Sequence, residues 1–270
     1  MSTYRDFWEP AEPNGESVFS RTEKKYLGKL FVTTSDFRDG KICFTNDVKA
    51  PLLGNASMQK KITAELVSQI GFFIKKYKIT QSSLVLVAGI GNENATADSL
   101  GCRVCDGIYA TSHYYKKSAE KTGNLACVKC GIAGITGIES FDHLSALCEK
   151  LKPALIIAVD TLAANTARRL SSAIQISDKG ISPGNGVGNK KTEMSAVTLS
   201  APVVAIGVPL VISAKKLLAE FIGETSVLPE KTSEITELVV TAKEVDFLVK
   251  DYAKIISESI NDAIHGLSEA

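Results

Sequence analysis

Three stretches of the chain are almost unbroken runs of apolar residues: 84–90 (LVLVAGI), 155–159 (LIIAV) and 202–208 (PVVAIGV). Apolar runs this short that stop abruptly predict strands buried on both faces, as in a parallel sheet. Further strands are expected over residues 125–130 and 172–177. Residues 29–34 and 41–46 flank the turn sequence DFRDG and read as a β-hairpin at a sheet edge. Helical spacing is clearest in two places. Ile62, Leu66, Ile70, Phe73 and Ile74 share one face of a helix over 57–77, and Val245, Leu248, Val249, Tyr252, Ile255, Ile256 and Ile260 form a stripe within 244–264. Helices are also expected over 99–119, 161–170, 230–241 and 141–151, the last capped by Ser140. Strands alternating with helices predict an α/β fold, a three-layer sandwich around a mostly parallel sheet. Residues 1–27, with Pro10, Pro13, Gly15 and many charges, read as an extended N-terminal arm, and 28–270 as a single α/β domain.

Composition narrows the function classes. A chain of 270 residues that is 44% hydrophobic can bury a large core. With 31 basic and 30 acidic residues interspersed, the net charge is +1, so bulk electrostatics offers no surface for nucleic acid or membrane. The N-terminal residues lack the apolar segment of a secretion signal, and the longest apolar run, 203–213, is too short to span a bilayer. The protein is therefore expected to be soluble and intracellular, with its six cysteines as reduced thiols.

Chemistry is expected just past the carboxyl ends of the core strands, where open α/β sheets gather their ligands. The run at 84–90 leads through a glycine turn into Asn92, Asn94, Thr96 and Asp98, and the run at 155–159 leads directly into Asp160. Two carboxylates brought close together cannot both ionise cheaply, so one keeps its proton and the pair can act as acid and base on water. The competing reading is that Asp98 and Asp160 merely cap the helices expected to follow them. The GIG turn lacks the third glycine of a dinucleotide fingerprint, because Asn94 stands in its place. Two CxxC pairs, Cys102/Cys105 and Cys127/Cys130, approach the spacing of a four-thiolate zinc site. Against that, residues three apart on a strand face opposite sides. Residues 178–191 (DKGISPGNGVGNKK) read as a long exposed loop; Asp178, Gly184, Gly186, Gly188, Asn189 and Lys190 would support the site or grip an extended peptide or a carboxylate through freed amides and charge. His113, His143 and His265 share no metal-ligand spacing.

Taken together, GIGNENATADSLG, LIIAVDTLAAN, IQISDKGISPGNGVGNKKTEMS and PVVAIGVPLVI resemble the germination protease family in order and spacing. CGIAGITGIES and KEVDFLVKDYAKIISESINDAIH extend the resemblance over roughly residues 80–265. This family comprises endopeptidases that degrade small acid-soluble spore proteins during germination. The resemblance implies an atypical aspartic peptidase whose two essential aspartates match Asp98 and Asp160. It further implies a phosphorylase/hydrolase-like fold shared with hydrogenase maturation peptidases and a self-processing zymogen. A homotetramer, the cytoplasm of the forespore or spore core, and no metal or other cofactor are implied as well. Expected partners are spore protein substrates, without direct nucleic-acid or membrane binding. One alternative is a hydrogenase-maturation-like processing peptidase, which recognises nickel through equivalent acids and a histidine. The other is a non-enzymatic zinc-stapled binding protein.

Overall fold

In the computed structural model, the described residues are 20–26, 31–38, 40–48, 55–115, 122–182, 192–222 and 238–267. The helix expected over 230–241 lies mostly outside them, as do Gly184, Gly186, Gly188, Asn189 and Lys190.

The longest apolar runs form the centre of the sheet. β4 (Val85–Ile90) is buried at every position and pairs in parallel with β5 (Leu125–Gly131) on one side and β6 (Leu155–Ala163) on the other. β6 in turn pairs in parallel with β8 (Val203–Ser213). Alternate residues of these strands supply two separate cores. Val85, Val87, Leu125, Ile157, Val159, Val204 and Ile206 face one side, whereas Leu86, Ala88, Ile90, Cys130, Ile156, Ala158 and Ala205 face the other. Two 21-residue helices, α1 (Ala56–Lys76) and α6 (Val245–His265), cover the first face with their apolar stripes, together with the short α2 (Leu100–Asp106). The second face is covered by α4 (Ser140–Leu151), through Leu144 and Cys148, and by Met194 and Leu199; the four-residue α3 (Ala133–Thr136) precedes α4, and α5 (Ala214–Ile222) follows β8. Helices on both faces of the sheet give the α/β layering that the sequence predicts.

On one flank the sheet continues antiparallel. β7 (Ala173–Ser177) pairs antiparallel with β8, then come β3 (Lys41–Val48), β2 (Phe31–Arg38) and β1 (Ser20–Tyr26). The β2–β3 hairpin is therefore not the edge. Residues 20–26, read from the sequence as part of the arm, form the outermost strand instead. At the end of β8 a three-residue strand, β9 (Val239–Thr241), pairs antiparallel with it, so the described end of the stretch 230–241 is strand and not the expected helix.

Two expected helices are corrected. Over the described residues 99–115 the only helix is α2, which ends at Gly107; a Cβ there would lie 2.4 Å from Ser257 Oγ, so glycine lets the chain turn away against α6. Residues 161–163 do not start a helix. They extend β6 along β8, and only a 3-10 turn at Ala167–Arg169 follows. Tertiary pairing has overridden local preference at this point.

Between α1 and the hairpin lies a buried polar network. Asn46 and Gln69 exchange two amide hydrogen bonds of 2.9 Å, Thr33 Oγ1 donates to Asn46 Oδ1 at 2.8 Å, and Gln69 also reaches Glu65. Mutual satisfaction allows these groups to be buried without the penalty of unpaired polar atoms.

Candidate active site

β4 stops at Ile90, but β6 continues past it for four more residues, Asp160 to Ala163, supported by β8. This step in the sheet is the candidate site. The chain leaves β4 at Gly91, whose φ of +113° is open to glycine but strained for other residues. A Cβ at Gly91 would also stand 2.1 Å from the carbonyl oxygen of Asp98. The loop then folds back over the strand tip as turns closed by Ala95 N–H to Asn92 O and Asp98 N–H to Ala95 O, and ends in a 3-10 turn, Thr96–Asp98.

Asp98 does not cap α2. The residue before that helix is Ser99, which makes no side-chain capping bond, and Asp98 Oδ2 instead accepts the Asn92 N–H at 2.8 Å. Nor does Asp160 cap a helix, because none follows it. It is buried within β6, and its Oδ1 accepts the Thr161 N–H at 2.8 Å. Both capping explanations thus fail on geometry. Asp160 alternates with Ala158 and Leu162 and so points to the α4 face, while Thr161 points to the other. There Thr161 Oγ1 donates to Ala97 O at 2.8 Å. The neighbour of one acid is therefore hydrogen-bonded to the neighbour of the other.

The remaining expected residues separate into two groups. Asn92 is half-buried beneath the loop; its Oδ1 accepts the Asn94 N–H at 3.0 Å, and the Asn94 side chain faces solvent. Thr96 is half-buried, and its carbonyl accepts the Ser99 hydroxyl at 2.8 Å. All three lie on the loop that leads into Asp98. Asp178 does not join them. β7 runs antiparallel to β8, so it delivers Asp178 toward the opposite edge of the sheet. At 2% exposure Asp178 is not part of an open loop: Oδ1 accepts Ile42 N–H at 2.8 Å, and Oδ2 accepts Lys76 Nζ at 2.6 Å and Tyr77 Oη at 2.7 Å. It is a structural tie between α1, β3 and β7. Two residues of the site were not singled out from the sequence. Thr161 was hidden in an expected helix, and Lys129 on β5 is ion-paired to Glu93 of the loop at 3.1 Å and to Asp106 of α2 at 2.8 Å.

The cysteines flank this region without converging. Cys127 packs on the α1/α6 face and Cys130 on the α4 face, which overturns the four-thiolate reading. Among the described residues no group of three or more His, Cys, Asp or Glu is placed to hold a metal ion. Burial pushes the Cys102 thiol up to about 11 and that of Cys130 up to about 12, the latter with neighbouring thiols and Asp160 adding to the effect. Cys148 rises to about 11 through burial, and Cys105 is raised by its contact with Cys127 and by burial. Neutral thiols of this kind are poor nucleophiles. Because the folded-state values are raised, their contribution to stability is complete below the ordinary thiol value of 9.0 and is lost as pH rises toward 11 to 12. We expect the urea midpoint to fall between pH 8.5 and about pH 10.5. Brief iodoacetamide treatment at pH 8 should leave Cys102, Cys130 and Cys148 unmodified by mass spectrometry, whereas unfolded protein should be alkylated at all three.

The germination protease family model matches residues 36–225, a segment that contains β3 to β8 and both acids. The chain belongs to the germination protease family. Germination proteases of Bacillus cytotoxicus and of Bacillus cereus AH187 are each 32% identical to it over 274 aligned positions, covering 78% of this chain and 75% of theirs. That of Bacillus anthracis CDC 684 is also 32% identical and is covered to 74%. Among solved structures, a [NiFe] hydrogenase maturation protease, HycI from Thermococcus kodakarensis KOD1, overlaps 66% of this chain and 92% of its own at 16% identity, with a TM-score of 0.37. Membership of the germination protease family makes the protein a peptidase, and at the step between β4 and β6 the segments that carry Asp98 and Asp160 are joined through Ala97 and Thr161. No helix among the described residues is long and apolar enough to cross a membrane.

Proposed function

We propose that the protein is an endopeptidase that begins the degradation of small acid-soluble spore proteins at germination, with Asp98 and Asp160 activating water. The observation that carries this reading is the meeting of the two acid-bearing segments at one strand tip, through Thr161 and Ala97. The acids hold one proton between them. The ionised partner draws a proton from water as it attacks the scissile carbonyl carbon, and the protonated partner gives its proton to the carbonyl oxygen. Collapse of the tetrahedral intermediate breaks the C–N bond: the acid that took the proton from water gives it to the departing amine, and the other recovers a proton from a hydroxyl of the intermediate, which restores the singly protonated pair. Titration then belongs to the pair and not to either residue alone. Asn92 orients Asp98 through its backbone amide, and Asn94 and Thr96 shape the rim. The reaction needs no cofactor.

Such substrates suit a shallow site at a sheet edge when they are extended and unstructured. The enzyme would act in the forespore or spore core as a homotetramer matured from a zymogen, as the family resemblance implies. Incubating the purified chain with a small acid-soluble spore protein tests the reading. A few defined fragments are expected on a denaturing gel, with their ends fixed by mass spectrometry. A substrate left intact by the mature chain would overturn it.

A further inference from the structure

We infer that Thr161 is a positioning residue that sets the separation of Asp98 and Asp160; this rests on the dyad reading above. Two bonds made by one residue carry the inference. The Thr161 N–H donates to Asp160 Oδ1 at 2.8 Å, and its hydroxyl donates to Ala97 O at 2.8 Å. Asp98 follows Ala97 directly and is itself fixed from the far side by the Asn92 N–H. Thr161 is thus a bracket with one arm on Asp160 and the other on the residue before Asp98.

β4 pairs with β6 only as far as Gly89 and Val159, so beyond that register no ladder hydrogen bond holds the loop to the overhanging end of β6. Below the bracket, Gly101 packs α2 against Ile90 and Val159. Above Val159, the Thr161 hydroxyl bond takes over from that contact. The alternation of the strand lets the two arms work independently. Asp160 points to the α4 face and the hydroxyl to the other, so the bracket holds the loop without occupying space in front of the Asp160 carboxylate.

The chemistry of a coupled pair gives this role a distinctive signature. Two carboxylates separate their titration steps because of mutual repulsion and a shared proton, and both fall off with distance. Loosening the bracket should bring the two limbs of the kcat–pH profile closer together. It should also lower kcat, since small misplacements of reacting groups cost up to about a hundredfold.

The test compares Thr161→Val, which keeps the shape and removes the donor, with Thr161→Ser, which keeps the donor, alongside Asp98→Asn and Asp160→Asn. Thr161→Val is expected to lose about tenfold to a hundredfold in kcat, keep KM within about twofold, and show a narrowed pH profile. Thr161→Ser should restore both kcat and the profile. Wild-type kcat and profile in Thr161→Val would overturn the inference. So would equal impairment of both Thr161 variants, which would mean that side-chain volume rather than the hydroxyl matters. If Thr161→Val does not fold, Thr161→Ser still decides, because it must match wild type. Retained cleavage in either Asn variant would remove the dyad and this inference with it. Inactive Asn variants beside an unaffected Thr161→Val would remove the bracket alone.

Discussion

Asp98→Asn and Asp160→Asn should each lower cleavage of a spore protein substrate by at least about a thousandfold while leaving the far-UV circular dichroism and urea midpoint close to wild type. The size follows from the nature of the pair. An amide in place of either carboxyl removes the transferable proton or its acceptor, and the remaining acid cannot serve both roles in one attack. The small structural cost follows from the geometry. Asp98 Oδ2 accepts the Asn92 N–H and Asp160 Oδ1 the Thr161 N–H, and the Oδ1 of an asparagine can accept each of them equally. Variants that retain cleavage would exclude the dyad, and variants that unfold would show that the carboxylates are held by more than these bonds.

The largest effect on stability is expected at Gly101. A Cβ at that position would lie 2.4 Å from Ile90 N, from Ile90 O and from Val159 O. All three are backbone atoms of adjacent central strands, so no side chain can swing aside to relieve the clash. Gly101→Ala should cost about 3–5 kcal/mol, lowering Tm by on the order of 10 °C for a chain of this size. Gly71→Ala is the internal control. It sits in α1 with nothing within 4 Å of the added carbon, so alanine there should stabilise by about 0.5–1 kcal/mol. Paired calorimetry of the two variants checks both signs. A neutral Gly101→Ala would mean that α2 rides freely on the sheet.

The sequence conveyed the centre of the molecule well. Runs such as LVLVAGI and LIIAV have few alternatives to a doubly buried strand, and acids at their ends are conspicuous for that reason. Legibility failed where distant parts of the chain decide the outcome. The stretch after Asp160, TLAANTARRL, suits a helix by local preference, yet β8 draws its first three residues into the sheet. That error concealed Thr161. Asp178 misled in the opposite direction: its setting among glycines suggests an exposed loop, but its partners Ile42, Lys76 and Tyr77 lie 101 to 136 residues away. The cysteine pairs could be judged from strand alternation alone, and Cys127 and Cys130 do face opposite cores.

The position of β6 between β4 and β8 governs when this peptidase can first become dangerous to the cell that makes it. The overhanging end of β6, Asp160 to Ala163, pairs only with β8 and so cannot be seated until β8, which ends at Ser213, has left the ribosome, and contacts so remote in sequence form slowly. If Asp98 and Asp160 are the catalytic pair, a nascent chain bearing both should be harmless for most of its synthesis, and truncated products that end before β8 should remain so permanently.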